Sequence, residues 1–325
     1  MQKISDAELK QREHLRRQGV KEGRVLIGPR TLTMHVTGSC NLACRYCYYH
    51  SPASPSGQGG SSQIGFAKFR QIVRDCVALR VDELILSGEG EPTVYPRFYE
   101  LMRWMGSLPI RVSIFTNGTF SAIHCRDMVM ADRLVINVGA VTEAQYRLVH
   151  GKDLFLRVVD NIRQLAELRR VYNPGLRIEI VFIDNKLNHA AVSAAEAFFR
   201  KLGADVVNLV EAEIYDFTRD IAIPEARTHQ PAGKGRAIPC LCWWYKLIVR
   251  PDLKLNVCCY RQQPIIADLS DRSLKTVWGS TGLNKLRLAG LRGAGCEDCV
   301  IYTPKGQADL LKGAAFHDAP SVQTA

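Results

Sequence analysis

The segment GSCNLACRYCYY, residues 38–49, places three cysteines within eight positions: Cys40, Cys44 and Cys47. Thiolates are ligands for soft metals and for iron–sulfur clusters, and a closed cluster site usually takes four of them. The Cys-x3-Cys-x2-Cys spacing gathers three sulfurs on one turn and leaves one metal position without a protein ligand. Catalytic metal sites keep such a position open for a substrate. The segment therefore predicts a metal-cluster loop with one open coordination position.

The chain contains eleven cysteines in 325 residues, and their setting bears on that prediction. Residues 1–20 are highly charged and contain no apolar segment, so they do not read as a signal peptide, and we expect a cytoplasmic protein without a disulfide framework. Cys76 and Cys125 fall at helical positions and are expected to pack in the interior. For the three-cysteine segment, spacing alone leaves two alternatives: three buried cysteines, or a zinc site completed by His35 or His50.

The overall composition is that of an ordinary globular protein, with 46% hydrophobic and 23% charged residues. No stretch has the length and apolar character of a membrane-spanning helix, so no membrane is expected as a partner. The net charge of +11 comes from basic residues spread over the whole chain. Phosphate contacts need such residues, but no interleaved basic and aromatic motif is present. We therefore expect solvated helix faces and no nucleic-acid partner.

Strand and helix patterns alternate along most of the chain. Apolar runs predict strands over 31–37, 82–88, 110–118, 133–140, 176–184 and 205–212, with helical periodicity between them. Such alternation predicts parallel strands joined by right-handed helical crossovers. A parallel sheet of this kind binds ligands at the carboxyl ends of its strands. The cysteine segment follows the first strand, GEGEP follows the second and TNG ends the third, so all three are expected to converge.

The pattern changes after residue 215, which divides the chain into predicted parts. They are an N-terminal helical extension over 1–30, an α/β core over 31–215, a linker over 216–238, a cysteine-rich domain with a β-hairpin over 239–312, and a flexible tail over 313–325. The linker is rich in Pro and Gly and has no clear period. The tail has the composition of a frayed terminus. We therefore expect two folded units, of which the first is the larger.

Four motifs stand at fixed places in the core. They are the cysteine segment with Tyr46 before its last cysteine, GEGEP at 88–92, TNGT at 116–119, and VTEAQYRLVHGK at 141–152. In this combination the chain resembles the radical SAM superfamily over roughly residues 30–215. The resemblance implies a partial (β/α)6 TIM-like barrel followed by the small cysteine-rich domain.

The resemblance also implies the cofactors of the core. Cys40, Cys44 and Cys47 would bind a [4Fe-4S] cluster whose open iron is chelated by the amino and carboxylate groups of S-adenosylmethionine (SAM). The reduced cluster would then cleave SAM to methionine and a 5′-deoxyadenosyl radical, which abstracts hydrogen from a substrate. A low-potential reductant such as flavodoxin or ferredoxin is the implied protein partner.

Eight residues are implied as SAM contacts by the same resemblance. They are Tyr46, Gly88, Gly90, Glu91, Pro92, Ser113, Asn117 and Asn137. Backbone carbonyls around Gly90 and the Glu91 carboxylate are suited to accept hydrogen bonds from the cationic SAM amine. The chain departs from the family at Glu89, where Gly is common and where a solvent-facing acid is the alternative. It departs again at Gly139, which replaces an Asp. Beyond the cluster, the sequence names no catalytic residue.

A second cysteine set lies in the C-terminal part and forms three close pairs: Cys240 with Cys242, Cys258 with Cys259, and Cys296 with Cys299. Either zinc or an iron–sulfur cluster would need four of them. With PCLCWWYKLIVRPDLKLNVCC and IADLSDRSLKTVW, this region resembles a Twitch or SPASM domain, which implies one auxiliary [4Fe-4S] cluster.

The implied ligands of that auxiliary cluster are one cysteine from each of the first two pairs and both of the third. They are Cys240, Cys258, Cys296 and Cys299, with Cys242 and Cys259 as competitors. The hairpin has Leu253 where the family usually has Gly. Trp243 and Trp244 are expected to be packing residues rather than a substrate platform.

These features favour a radical SAM oxidoreductase that acts on a small metabolite such as a sugar, an aminocyclitol or an antibiotic precursor. An auxiliary cluster would accept or relay an electron in that reaction. One alternative is a maturase that crosslinks or epimerises a ribosomally made peptide. A second alternative is a non-catalytic electron-transfer or zinc protein, which would leave GEGEP beside the cysteine loop without a purpose.

Overall fold

The computed structural model describes residues 4–54, 60–211, 213–214, 227–228, 240–257 and 265–292. The helices are α1 (Asp6–Glu22), α2 (Phe66–Ala78), α3 (Phe98–Met105), α4 (Cys125–Met128), α5 (Glu143–His150), α6 (Phe155–Tyr172), α7 (Val192–Lys201), α8 (Cys242–Tyr245), α9 (Leu274–Trp278) and α10 (Thr281–Leu291). The strands are β1 (Thr31–His35), β2 (Glu83–Ser87), β3 (Arg111–Thr116), β4 (Arg133–Asn137), β5 (Arg177–Asp184), β6 (Val206–Glu211), β7 (Glu213–Ile214), β8 (Arg227–Thr228), β9 (Lys246–Val249), β10 (Lys254–Asn256) and β11 (Ala267–Asp268). Within these ranges, no helix has both the length and the apolar surface that crossing a membrane requires.

Strands β1 to β6 form a parallel sheet in sequence order, as the alternation predicts. The five successive crossovers from β1 to β6 contain, in order, α2, α3, α4, α5 with α6, and α7. Among the described strands the sheet has two separate edges, at β6 and β11, so the barrel is open. The prediction of a partial TIM-like barrel is confirmed.

The two faces of the sheet differ because side chains alternate along each strand. On β2, Leu84 and Leu86 are fully buried in the core beneath the helices. Glu83, Ile85 and Ser87 alternate with them, are partly exposed and face the concave interior. Burying one leucine contributes about 1.5–3 kcal/mol, so the helix-facing side stabilises the barrel. The concave side is left free for polar groups and ligands.

The C-terminal hairpin extends this sheet instead of forming a second one. Strand β9 pairs parallel with β1 and antiparallel with β10. The turn between β9 and β10 places Leu253 at φ 64°, a left-handed conformation that explains why Gly is common there. Trp243 and Trp244 are 3% exposed and belong to the common core, so their packing role is confirmed.

The predicted domain boundaries remain predictions, because large parts of the C-terminal region lie outside the described residues. The linker over 216–238 is described only at β8, which pairs with β7. The tail over 313–325 lies outside altogether. The described part of 239–312 shares both the sheet and the hydrophobic core of the barrel.

Helix α1 is attached beneath the barrel by a buried ionic contact. The Arg16 guanidinium donates to both Asp82 carboxylate oxygens at 2.6 and 2.9 Å, and Arg12 donates to the same carboxylate at 3.3 Å. The three side chains are 1%, 6% and 9% exposed for Arg16, Arg12 and Asp82. Both arginines also donate to backbone carbonyls, including Gly28 O and Val81 O. The contact joins α1 to the amino end of β2.

Replacing Asp82 with Ala is expected to lower the free energy of unfolding by about 3–5 kcal/mol, because the buried Arg16 guanidinium loses the carboxylate to which it donates two hydrogen bonds. Urea unfolding followed by circular dichroism measures the change. Glu100→Ala, which breaks the exposed Arg97–Glu100 pair, is the matched control and is expected to cost about 1 kcal/mol or less. An Asp82→Ala effect no larger than that of the control would contradict the assignment.

Candidate functional site at the carboxyl ends of the strands

The cysteine loop follows β1 directly and is shaped by its own backbone. The Cys47 N–H donates to Cys44 O at 3.0 Å, which closes a tight turn between two of the three cysteines. Backbone N–H groups also point at the sulfurs: Leu42 N donates to Cys40 Sγ at 3.5 Å, and His50 N donates to Cys47 Sγ at 3.3 Å. Hydrogen bonds of this kind stabilise negative charge on cluster ligands.

Burial shifts the pKa values of all three thiols in the same direction. Burial, with smaller contributions that include the nearby Glu91 carboxylate and Cys47, raises the pKa of Cys40 to about 11. Burial, followed by the neighbouring Cys47 and Cys40, raises the pKa of Cys44 well above its usual value. Burial also raises the pKa of Cys47. A metal cluster would supply the positive charge that ionises them, since metal ligation requires thiolates.

The donor set fits a cluster better than one metal ion. Among the described residues, no three His, Cys, Asp or Glu side chains converge on a point that could hold a single ion. In a cubane each thiolate binds a different iron, so the sulfurs need not converge. His50, proposed above as a zinc ligand, places its Nε2 2.9 Å from Glu89 O instead. The three thiols with one open position remain suited to a [4Fe-4S] cluster.

The GEGEP segment packs against the cysteine loop at backbone distance. A Cβ atom on Gly90 would lie 2.1 Å from Ser39 O, the carbonyl just before Cys40. Gly88 has φ +136°, and a Cβ there would lie 2.5 Å from the His35 ring. The Glu91 N–H donates to Ser39 O at 2.9 Å. Glycine is required at both positions, because a side chain at Gly90 would displace the loop before Cys40 and one at Gly88 would displace His35 at the end of β1.

The Glu91 side chain, which is predicted to accept a hydrogen bond from the SAM amine, also connects two segments of the protein. Its Oε1 accepts from Thr116 Oγ1 at 2.6 Å and from Thr93 Oγ1 at 2.7 Å, and its Oε2 accepts from Asn117 N at 2.7 Å. Burial raises the pKa of Glu91, and these hydrogen bonds oppose that rise. The carboxylate therefore joins the loop after β2 to the end of β3. Its role as an acceptor for the SAM amine stays a prediction.

The predicted TNGT turn contacts the cysteine loop through amides. Asn117 Nδ2 donates to Asn41 Oδ1 at 2.8 Å, and Asn41 Nδ2 donates to Thr119 Oγ1 at 2.7 Å. The Thr119 N–H and hydroxyl both donate to Asn117 Oδ1. This closed set commits Asn117 to holding the cysteine loop, a role that sequence reasoning did not assign.

Of the remaining predicted SAM contacts, some lie at the cysteine loop and one does not. Tyr46 donates its hydroxyl to Asn137 Oδ1 at 3.1 Å, which brings the end of β4 to the cysteine loop. Pro92 is buried and begins a 3₁₀ turn over Pro92–Val94. Ser113 lies in the middle of β3 and donates its hydroxyl to Glu83, away from the strand end. The structure thus gathers all of the predicted contacts except Ser113.

His150, at the end of α5, contacts the cysteine loop and was given no role from sequence. Its Nδ1 lies 3.0 Å from Cys44 Sγ, and its Nε2 accepts from Gly139 N at 3.0 Å. The side chain is fully buried, and burial lowers the pKa of His150 to about 3. The imidazole is therefore neutral. Its contact with Cys44 spans 106 positions, so local pattern carries no signal for it.

Glu89, the departure from the family pattern, is not a solvent-facing acid. Its carboxylate lies 3.2 Å from Arg250 Nε and 3.8 Å from His35 Nδ1, and its side chain is 13% exposed. Arg250 follows β9, so this ion pair joins the C-terminal hairpin to the loop after β2. The Glu89–Arg250 ion pair and the neighbouring His35 ring form a polar group at the mouth of the barrel.

The second cysteine set is described only in part. The Cys240 N–H donates to Gly290 O at 3.0 Å, and the buried Cys242 begins α8. Cys258, Cys259, Cys296 and Cys299 lie outside the described residues. The auxiliary cluster and the choice of its ligands therefore stay predictions. Cys76 and Cys125 are fully buried, as expected.

Known proteins match this chain in sequence and in fold. Residues 34–184 match the family model of the radical SAM superfamily. A probable GTP 3′,8-cyclase of Metallosphaera sedula is 30% identical over 194 residues, which are 58% of this chain and 56% of that protein. A probable GTP 3′,8-cyclase of Saccharolobus islandicus is 23% identical over 279 residues, which are 75% of this chain and 86% of that protein. The chain thus spans a little over half the length of the Metallosphaera sedula relative.

The fold likeness extends over most of the chain. The crystal structure of Streptococcus suis SuiB bound to the precursor peptide SuiA has a TM-score of 0.65 and 15% identity, and covers 90% of this chain and 76% of that chain. At this identity the likeness establishes the fold alone.

Replacing Gly90 with Ala is expected to displace the cysteine loop, because the added methyl group would lie 2.1 Å from Ser39 O. A displacement of about 1 Å costs roughly 10²-fold in rate, and we expect that loss in 5′-deoxyadenosine formation from SAM. Gly282→Ala is the control, since a Cβ there meets no atom within 4 Å. Equal rates for the two variants would refute the packing argument.

Proposed function

The chain carries a radical SAM domain over residues 34–184 and belongs among the enzymes of that superfamily; from this premise we propose that it is an oxidoreductase that removes hydrogen from a small polar metabolite. The observation that carries the proposal is that the three-cysteine loop, Gly90 and the Tyr46–Asn137 pair lie together at one end of an open barrel. The non-catalytic alternative is set aside, because the superfamily consists of enzymes.

The residues at this end are suited to two cofactors. Cys40, Cys44 and Cys47 would hold a [4Fe-4S] cluster, and the surfaces of Gly90 and Asn137 would face SAM. When bound, these groups supply a one-electron cleavage of SAM that yields methionine and a hydrogen-abstracting 5′-deoxyadenosyl radical. Partial burial raises the pKa values of the three thiols, and hydrogen bonds of Glu91 and Asn117 hold their loop. A flavodoxin or ferredoxin would supply the electron.

The concave face of the sheet supports a small substrate of mixed polarity. Near the amino ends of the strands, Glu179 is 2.8 Å from Arg133 and 2.9 Å from Arg177, so these charges are paired with one another. Ile85 and Phe115 alternate with the core residues of β2 and β3 and are only partly buried. The apolar Ile85 and Phe115 thus lie between the Glu179 ion pairs near the amino ends of the strands and the Glu89–Arg250 ion pair at the mouth of the barrel.

The named relatives point to two substrate classes. The Metallosphaera sedula and Saccharolobus islandicus proteins are named for GTP, a small polar molecule, which supports the metabolite proposal. SuiB is described with its precursor peptide, which supports the alternative of a peptide maturase. Substrates deuterated at their C–H positions separate the classes: deuterium appears in 5′-deoxyadenosine only with the correct class. Transfer from a peptide, with none from sugars, aminocyclitols or GTP, would overturn the metabolite proposal.

Replacing Cys40, Cys44 and Cys47 together with Ala is expected to abolish 5′-deoxyadenosine formation, because no thiolate remains to hold the cluster. The assay is anaerobic reconstitution with iron and sulfide, then dithionite and SAM, with chromatography of the products. Cys125→Ala, which removes a buried thiol outside the loop, is the matched control. If the triple variant still forms 5′-deoxyadenosine, the proposed function fails.

Replacing Cys296 and Cys299 with Ala is expected to lower iron content from about eight to about four atoms per chain, since each [4Fe-4S] cluster holds four. Iron analysis of the reconstituted protein measures this directly. SAM cleavage should persist in the variant, whereas substrate turnover should stop. Unchanged iron content would remove the auxiliary cluster from the proposal.

A further inference from the structure

The hydrogen-bond directions around His150 settle which of its nitrogens carries the proton. The Gly139 N–H can only donate, and it is directed at His150 Nε2 from 3.0 Å. Nε2 is therefore unprotonated. In a neutral imidazole the hydrogen then resides on Nδ1, and the atom facing Nδ1 is Cys44 Sγ at 3.0 Å. His150 is thus a hydrogen-bond donor to one of the three thiols of the cluster loop.

Backbone contacts hold the end of α5 against the cysteine loop independently of that side chain. The Ala43 N–H donates to His150 O at 3.2 Å, and the Arg45 N–H donates to Val149 O at 2.9 Å. These two bonds lie on either side of Cys44 in sequence. Because they use main-chain atoms only, replacing the His150 side chain leaves this attachment in place.

The acceptor side of the imidazole is also fixed. Asn188 is fully buried, and its Nδ2 donates to Gly139 O at 2.9 Å. A Cβ on Gly139 would lie 3.1 Å from that nitrogen and 3.5 Å from His150 Nε2. The replacement of the family's Asp by Gly139 therefore suits a backbone clamped between Asn188 and His150. The clamp orients the ring toward Cys44, as second-shell groups orient metal ligands.

We propose that His150 is a positioning residue that tunes the SAM-binding cluster through the hydrogen bond from Nδ1–H to Cys44 Sγ. The inference rests on the proposed function, because it requires a cluster on the cysteine loop. Hydrogen bonds to the sulfurs set cluster potentials. The reduced cluster carries one more negative charge than the oxidised cluster, so a donor at the sulfur favours reduction. His150 thus makes the electron needed for SAM cleavage easier to deliver.

Two substitutions separate the donor role from simple packing. In His150→Asn the amide nitrogen can occupy the position of Nδ1 and donate to Cys44 Sγ, while the partner of the Gly139 N–H is lost. In His150→Gln the terminal oxygen can replace Nε2 as the acceptor, while no donor remains beside Cys44. The two variants therefore remove opposite halves of the same contact.

The test is a redox titration of each reconstituted protein, monitored by electron paramagnetic resonance of the reduced cluster on Cys40, Cys44 and Cys47. The Cys296→Ala/Cys299→Ala background removes any auxiliary signal. We expect His150→Gln to move the midpoint potential to more negative values and His150→Asn to keep it near that of the parent. Iron content should stay the same in all three proteins.

The redox titration distinguishes failure of the His150 proposal from failure of the proposed function. If the parent protein binds no cluster on the cysteine loop, the proposed function is wrong. A parent that binds the cluster and cleaves SAM, with equal potentials in His150→Gln and parent, would overturn the role of His150 alone. Equal shifts in both variants would also overturn it, because they would reflect packing and not the donor. Thermal unfolding of each apoprotein shows whether a variant that loses iron has lost its fold.

Discussion

The buried carboxylate of Glu91 is the contact on which the arrangement of the site depends. Its oxygens accept from Thr116 and Asn117 at the end of β3, while its own N–H is bound to Ser39 beside the first cysteine. Three segments that are distant in sequence are thus held by one side chain and its backbone. A buried carboxylate is costly without donors, and here the donors belong to the segments that must converge. The energetic requirement and the geometric requirement are met by the same bonds.

Regular patterns in the sequence predict the parallel sheet well, and the family resemblance adds the expectation of a partial barrel. The sequence predicts the strands within a few residues of where they lie, because apolar residues form short continuous runs on β2, β4 and β5. Their parallel order followed from the intervening helices. Residues at strand ends were expected to meet, and the cysteine loop, Glu91 and Asn117 do meet. These results depend on periodicity and chain connectivity, both of which are local properties of a sequence.

Contacts between distant side chains were beyond that reasoning. His150 touches Cys44, and Arg250 touches Glu89, across more than a hundred positions in each case. The family resemblance places Ser113 near a strand end as a SAM contact, yet its hydroxyl donates to Glu83 on the neighbouring strand β2. The pairing of β9 with β1 was also unforeseen, since a hairpin pattern does not say which edge it will join. Only the packed structure decides such partners.

The pairing of β9 with β1 has a consequence for how the protein is made. Thr31 opposes Lys246, so the strand that leads into the cysteine loop gains its second neighbour only after more than two hundred further residues are synthesised. At 5–20 residues per second the interval is roughly 10–40 s. During it, β1 has an open edge of the kind that pairs with other chains. The cysteine loop of the unfinished chain therefore follows a strand that still lacks one neighbour. Iron bound before synthesis ends would be bound next to a sheet without β9.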